Sequence, residues 1–224
     1  VGAVGLYALG NLWLEDLPDY KDSSVYNLAK KTRVYANDGT TLLAEFYLEN
    51  REPVNSLSEI SPYVLKGVIA TEDQRFYQHN GVDPMGILRA ALNNVMGGST
   101  EGASTITQQF VRGTVLSGEA TEQSLKRKVR EAYIALKLEE TFSKDEILLM
   151  YLNTVNFGAG AYGIEAAAQK YFSCSAKDLT LAQSALLAGI PQSPTYNNPI
   201  NYPDNALISR NTVLNRMLPN NYIT

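Results

Sequence analysis

Cysteine and histidine are nearly absent from this 224-residue chain, which carries one of each, Cys174 and His79. A single cysteine excludes an internal disulfide and a cysteine-based zinc site, and a single histidine excludes a histidine-rich metal centre. Cys174 has no histidine near it in sequence to form a nucleophile pair and reads as a small buried hydrophobe. Any metal would have to be held by carboxylates and phosphate oxygens, which favours Mg²⁺ or Mn²⁺ over zinc. An excess of positive charge is also lacking. With 19 Lys and Arg against 23 Asp and Glu the net charge is -4, so no global basic field argues for a nucleic-acid partner. The dense basic run KRKVR at 126–130 reads as a solvated helix face. The uncharged start, VGAVGLYALGNLWL, is shorter than the roughly 20 residues that span a bilayer, and it lacks the basic region and cleavage site of a signal peptide. Its expected role is the outer end of a membrane anchor over residues 1–14. A packed hydrophobic helix is the alternative. Trp13 and Tyr20 would suit the interfacial belt.

What is present is ordinary globular composition, 45% hydrophobic and 19% charged. That is enough for one large domain with a real core, or one domain with a small appendage. Residues 15–33 are polar, contain Pro18 and read as a linker. TRVYANDGTTLLAEFYL (32–48) places two β-favouring runs around Asn37-Asp38-Gly39, the chemistry of a hairpin turn. From residue 60 the signals are helical. Pro62 sits near a first helical position, and DPMGILRAALNNVMGG (83–98) ends on a glycine stop. Thr105 with Gln108, Ser143 with Glu146 and Thr180 with Gln183 fit the capping box, in which a hydroxyl and a side chain three residues on exchange backbone bonds. Further helices are expected at about 121–141, 143–155, 161–172, 180–189 and 204–217. The expected fold is mainly α with a small N-terminal β-hairpin.

Three stretches could carry chemistry. In TEQSLKRKVREAYIALKLEETF, Leu125, Val129, Ala132 and Leu136 share one face at helical spacing and are expected in the core. Lys126, Arg130 and Lys137 fall on a solvated flank. Lys128 and Glu131 fall on the opposite flank with the small Ala135. They form either a surface ion pair or a cation and carboxylate presented to one ligand. In GGSTEGASTITQQFVRG, glycines 97, 98 and 102 precede Ser104 and Thr105 at a helix start carrying Gln108 and Gln109. Free N–H groups and hydroxyls there can take an anion, but the Lys-Ser/Thr ending of a nucleotide P-loop is missing. In ATEDQRFYQHNGVD, Glu72 and Asp73 follow an apolar run. A carboxylate at such a place is either a solvated helix end or a general base whose partial desolvation raises its pKa towards working pH.

In order along the chain, these segments resemble the peptidoglycan glycosyltransferase domain of bifunctional (class A) penicillin-binding proteins. The ED..F..H.G pattern stands as Glu72, Asp73, Phe76, His79 and Gly81. G.STITQQ runs from Gly102 to Gln109, and RK..E is Arg127, Lys128 and Glu131. KDEILLMYLN leading to GAYGIEAAAQKYF, then RNTVLNRM at 210–217, complete five ordered motifs across about 150 residues. One departure is Gly113, where the family usually has asparagine. The resemblance implies a lysozyme-like fold of two helical lobes, the smaller one embedded in the membrane. It also implies that the GlcNAc 4-hydroxyl of lipid II attacks the anomeric carbon of a lipid-linked glycan strand, displacing undecaprenyl diphosphate with inversion. Glu72 would be the base. Lys128, with Arg127 as the weaker candidate, would stabilise the leaving diphosphate. Ser104, Thr105, Gln108 and Gln109 would hold phosphate and sugar oxygens. Asp73 would border the substrate and set the hydrogen bonding of the base. Glu131 would either orient Lys128 or help place a divalent cation, Mg²⁺ or Mn²⁺, on the diphosphate, with no obligatory cofactor. Phe76, His79, Asn153 and Glu165 would be structural.

The expected organisation is an anchor end at 1–14, a linker and hairpin at 15–60 and the glycosyltransferase domain at 61–224. No SxxK and KTG-type elements of a transpeptidase are present. The expected place is the outer face of a bacterial cytoplasmic membrane, within a cell-wall synthesis complex. A lysozyme-like hydrolase or lytic transglycosylase would need an acid for the leaving sugar and no diphosphate cradle. A non-catalytic scaffold would be marked by loss of Glu72 or Lys128, and both are present.

Overall fold

The computed structural model describes residues 12–20, 32–46, 50–95 and 102–224. In chain order the strands are β1 (Thr32–Tyr35), β2 (Leu42–Phe46), β3 (Asn50–Arg51) and β4 (Ala161–Tyr162). The helices are α1 (Pro62–Glu72), α2 (Pro84–Val95), α3 (Ile106–Gly113), α4 (Leu125–Glu139), α5 (Lys144–Thr154), α6 (Ile164–Phe172), α7 (Leu181–Gly189) and α8 (Pro203–Met217). The chain is mainly α and divides into two compact units, residues 1–27 with 75–150 and residues 28–74 with 151–224. Most of the expected anchor end, residues 1–11, and the glycines at 97 and 98 lie outside the described residues.

Local chemistry sets the helix starts. Pro62 opens α1 at its first turn. Thr105 and Gln108 form the capping box of α3, and Thr180 and Gln183 that of α7. Before α5 the Ser143 N–H donates to Glu146 Oε2 (2.8 Å) while the Glu146 N–H donates to Ser143 Oγ (3.3 Å). Each exchange satisfies orphan donors that a helix start leaves open.

In the unit made of 28–74 and 151–224, β1 and β2 pair antiparallel, and β3 pairs parallel with β4. The β1–β2 connection runs over Ala36–Thr41, with Gly39 at φ +70°. Asp38 accepts from the hydroxyl and N–H of Thr41 and from the N–H of Thr40, which hold its carboxyl down to about 2. Helix α1 packs on α7 and α8. Gly67 makes this close approach feasible, since a Cβ there would sit 3.1 Å from Ala188 Cβ and 3.4 Å from Val213 Cγ1. Asn153 is architectural: its Oδ1 accepts from the Val54 N–H (3.0 Å) and its Nδ2 donates to the Val54 carbonyl (2.9 Å). Glu165 likewise takes the Ala176 N–H at 2.8 Å. Cys174 is half-buried, not fully buried as its type led us to expect, and burial pushes its thiol upward.

In the unit made of 1–27 and 75–150, Phe110, Leu116, Ile134, Leu138, Ile147 and Leu148 are buried, and α3 packs on α4. Two sequence readings of α4 are overturned. The face expected in the core is only partly covered: Leu125 is 77% exposed and Leu136 43%, while Val129 and Ala132 are half-buried. The buried positions are Arg127, Arg130, Glu131, Ile134, Ala135 and Leu138. Arg130, expected on a solvated flank, is only 3% exposed. Its guanidinium pairs with Glu119 (3.1 Å) and donates to the carbonyls of Asp16 (2.7 Å) and Trp13 (3.5 Å). The periodicity of apolar residues misled because the inward face of α4 is stocked with charged groups that find buried partners. Tyr20 packs edge-on against Tyr133 at 6.3 Å between ring centroids, so residues 13–20 dock along α4 through Arg130 and Tyr133. On α2, Met85, Ile87, Leu88 and Leu92 are all exposed, and Met85, Leu88 and Leu92 share one apolar face left uncovered among the described residues.

Candidate active site

Glu131 has no solvent exposure, and positive groups from two helices surround it. Arg127, one turn earlier on α4, donates through Nη1 to Glu131 Oε1. Lys128 Nζ donates to Glu131 Oε2 at 3.2 Å, and Arg112 from α3 brings Nη1 within 4.0 Å of Oε1. Three cations around one carboxylate leave a local excess of positive charge. A buried carboxylate is tolerable only with such partners, because an isolated charge in a poorly solvated interior is costly.

The three cations differ in what they can still reach. Arg127 is buried and also donates through Nε to the Glu122 carbonyl, so it is occupied within the protein. Lys128 has a side chain 43% exposed and bridges Glu131 to Ser104 Oγ (2.8 Å). It is the member of the set best placed to meet a ligand, together with the half-buried Arg112. Arg112 was missed by sequence reasoning. The available signal was its spacing, three and four residues after Gln109 and Gln108 on the same short helix.

Thr105 and Gln108 are drawn into the start of α3. The Gln108 N–H donates to Thr105 Oγ1 (3.1 Å), the Thr105 N–H donates to Gln108 Oε1 (3.0 Å), and the Thr105 hydroxyl donates to the Gly81 carbonyl (2.6 Å). Gly81 has φ +78° and lies so close to α4 that a Cβ would come within 2.7 Å of the Ala135 carbonyl. Gly81 thus ties the loop after His79 to both α3 and α4. Ser104 stands beside Lys128, and Gln109 is half-buried on α3. A further link unseen in the sequence joins Thr107, whose hydroxyl donates to Glu139 Oε1 (2.5 Å), to Lys144, which pairs with Glu139 (2.7 Å) and lies 4.5 Å from the centroid of the buried Phe76 ring. His79 is buried.

Glu72 and Asp73 belong to the other compact unit. Glu72 is the last residue of α1, half-buried, with its Oε1 atom shielded from solvent. Asp73 is the C-cap, buried, with its N–H donating to the Ile69 carbonyl at 3.1 Å.

Among the described residues no group of three or more His, Cys, Asp or Glu could hold a metal ion. Both oxygens of Glu131 already face cations, so this carboxylate does not fit a metal-ligand role.

Known proteins are similar to this chain in sequence along most of its length. The sequence model of the family described as Transglycosylase matches residues 39–218. This chain belongs to the transglycosylase family. Penicillin-binding protein 1A of Escherichia coli (strain K12) is 44% identical over 225 residues, covering 100% of this chain and 26% of that protein. Penicillin-binding protein 1A of Aquifex aeolicus (strain VF5) is 42% identical over 94% of this chain and 28% of its own length. Penicillin-binding protein 1F of Bacillus subtilis (strain 168) is 44% identical over 81% of this chain and 25% of its own. The crystal structure of penicillin-binding protein 1A from Haemophilus influenzae aligns with 88% of this chain and 19% of that chain, at 25% identity and a TM-score of 0.46. The chain spans about a quarter of the length of the curated relatives it matches. Membership of the transglycosylase family and these relatives support peptidoglycan glycosyltransferase activity.

Proposed function

We propose that this transglycosylase domain polymerises peptidoglycan glycan chains by inverting transfer of a lipid-diphosphate-linked glycan onto the GlcNAc 4-hydroxyl of lipid II, releasing undecaprenyl diphosphate. The observation that carries the reading is the cation cluster around buried Glu131. A leaving diphosphate needs its developing charge stabilised more than it needs a proton, and fixed cations in a partly dry site supply that stabilisation. Lys128 meets the diphosphate, and Arg112 is a second cation within reach. Glu131 holds both in place, and Arg127 completes the charge balance from beneath. Ser104 and Gln109 offer hydrogen bonds to phosphate and sugar oxygens, while Thr105 and Gln108 act by fixing the start of α3.

Glu72 takes the proton of the attacking hydroxyl as the new bond forms. A single displacement with inversion needs this base on the face opposite the leaving group. Asp73, next in the chain, borders the acceptor. A substrate with a long polyprenyl tail stays in the bilayer, so the domain works at the outer face of the cytoplasmic membrane. The exposed apolar residues of α2 support that placement. Among the described residues no helix is long and apolar enough to cross a membrane. Confinement of both partners to one surface replaces a three-dimensional search by a short-range one. A cell-wall synthesis complex is the expected setting.

The test is incubation of the protein with labelled lipid II and separation of the glycan products. The parent forms polymer. Glu72→Gln loses about 10²–10⁴ in rate, the usual contribution of a positioned base, and Lys128→Ala loses about 10²–10³, as for removal of a charge-stabilising donor. Lys126→Ala, on the exposed side of α4, polymerises like the parent. No polymer from the parent, or an undiminished rate from Glu72→Gln, would sink the reading.

A further inference from the structure

RNTVLNRM at 210–217 is the one segment of the five to which neither the sequence nor the proposed chemistry gives a task. It forms the last two turns of α8, and its two arginines behave differently. Arg210 bonds to its neighbour Asn211 at the surface. Arg216 reaches across to α1, where its Nη1 donates to the Thr71 carbonyl at 2.8 Å. That carbonyl belongs to the peptide joining Thr71 to Glu72.

We propose that Arg216 is a positioning residue for Glu72, an inference that rests on the reading of Glu72 as the base. A helix leaves its last four carbonyls without partners in the helix. At the end of α1, the Asp73 N–H closes Ile69 (3.1 Å), Gln74 Nε2 donates to Ala70 (3.4 Å) and Arg216 closes Thr71. The guanidinium therefore fixes the final peptide plane before Glu72 and sets the direction in which its Cα–Cβ bond leaves the helix. A cation at a helix C-terminus also offsets the partial negative charge that gathers there.

The neighbouring contacts separate this role from simple support of the fold. Helices α1 and α8 already meet one turn earlier, where Gly67 faces Val213 and Met217 across buried apolar contact. That contact holds α1 in place without Arg216. The arginine adds a second fixed point at Thr71, four residues on, where only the last turn can still twist. At the root of α8's end, Asn220 Nδ2 donates to the Arg216 carbonyl (2.7 Å) and steadies the arginine's own backbone. A base must be held close to its productive geometry, and a misplacement of about 1 Å can cost about 10²-fold in rate.

The experiment compares the parent with Arg216→Ala, Arg216→Lys, Arg210→Ala and Glu72→Gln in steady-state polymerisation of labelled lipid II, with thermal midpoints measured in parallel. Arg216→Ala is expected to lower kcat by about 10- to 100-fold with KM and the midpoint near parental values. Arg216→Lys keeps a cationic donor for the Thr71 carbonyl and recovers part of the loss, and Arg210→Ala matches the parent. Hydrogen exchange at the Asp73 amide quickens in Arg216→Ala while the buried turn around Val68 stays protected. An unchanged kcat in Arg216→Ala, with Glu72→Gln inactive, overturns this inference alone. So does a kcat loss that tracks a falling midpoint and is not recovered by lysine. A parent that makes no polymer, or an active Glu72→Gln, removes the proposed function and this inference together.

Discussion

Glu131→Ala is expected to destabilise the fold as well as to slow the reaction, and the two effects can be separated. The substitution removes a carboxylate with no solvent exposure and leaves Arg127, itself buried, with no carboxylate partner. Breaking a buried pair by removing one member costs about 3–5 kcal/mol, because the remaining charge is uncompensated. Lys128 and Arg112 add little to that figure, since side chains 43% and 31% exposed turn to solvent and such pairs contribute about 0–1 kcal/mol each. The net loss of about 4 kcal/mol compares with a total of about 5–15 kcal/mol for a typical domain. With a slope of about 2–3 kcal/mol/M in urea, the unfolding midpoint falls by about 1.5 M.

Urea unfolding followed by the fluorescence of tyrosine and Trp13 measures this directly. Glu131→Gln keeps the shape and one acceptor but not the charge, and is expected to lose about 1.5–3 kcal/mol, the worth of a hydrogen bond to a charged group. Replacing both members with apolar residues, Arg127→Met with Glu131→Leu, restores most of the stability because no charge is stranded. It does not restore polymerisation, because Lys128 has lost the group that holds it. A midpoint shift below about 0.3 M for Glu131→Ala, at unchanged slope, would refute the idea that the cluster is organised around this carboxylate.

Two further outcomes follow from the same unit. Arg130→Ala is expected to cost about 1–3 kcal/mol in the same assay, because Glu119 and two backbone carbonyls lose a charged donor, whereas Lys126→Ala stays within about 0.5 kcal/mol of the parent; equal behaviour of the two would contradict the burial of Arg130. Gly81→Ala forces a side chain into a left-handed backbone and within 2.7 Å of the Ala135 carbonyl, so a loss of at least about 1–3 kcal/mol is expected, and a parental midpoint would show that the loop does not lie against α4.

The helix starts of this chain were legible because their causes are local. Thr105 with Gln108, Ser143 with Glu146 and Thr180 with Gln183 each complete their exchange within four residues, as the spacing predicts. The pairing of Lys128 with Glu131 was readable for the same reason, one turn of helix apart. Arg112 was not read, since its approach to Glu131 depends on how α3 lies against α4. The Arg216 contact with Thr71 spans 145 residues, and no local pattern announces it.

The error on α4 has a different origin, and it locates the site. Apolar periodicity assumes that a helix buries its hydrophobic stripe. Here Leu125 and Leu136 face outward, while Arg127, Arg130 and Glu131 share the inward face with Ile134, Ala135 and Leu138. Such an inversion is stable only if each buried charge finds a partner, and each does. Arg127 has Glu131 and the Glu122 carbonyl, while Arg130 has Glu119 and the carbonyls of Trp13 and Asp16. A helix selected for stability alone would have no use for this arrangement, since apolar side chains of the same volume would serve as well or better. Rules of sequence reading are expected to fail where a functional demand outweighs local preference. The demand met by α4 is to hold Lys128 at a fixed point with its ammonium partly open to a ligand. Only a buried, immobile carboxylate beneath it can do that without neutralising the cluster as a whole.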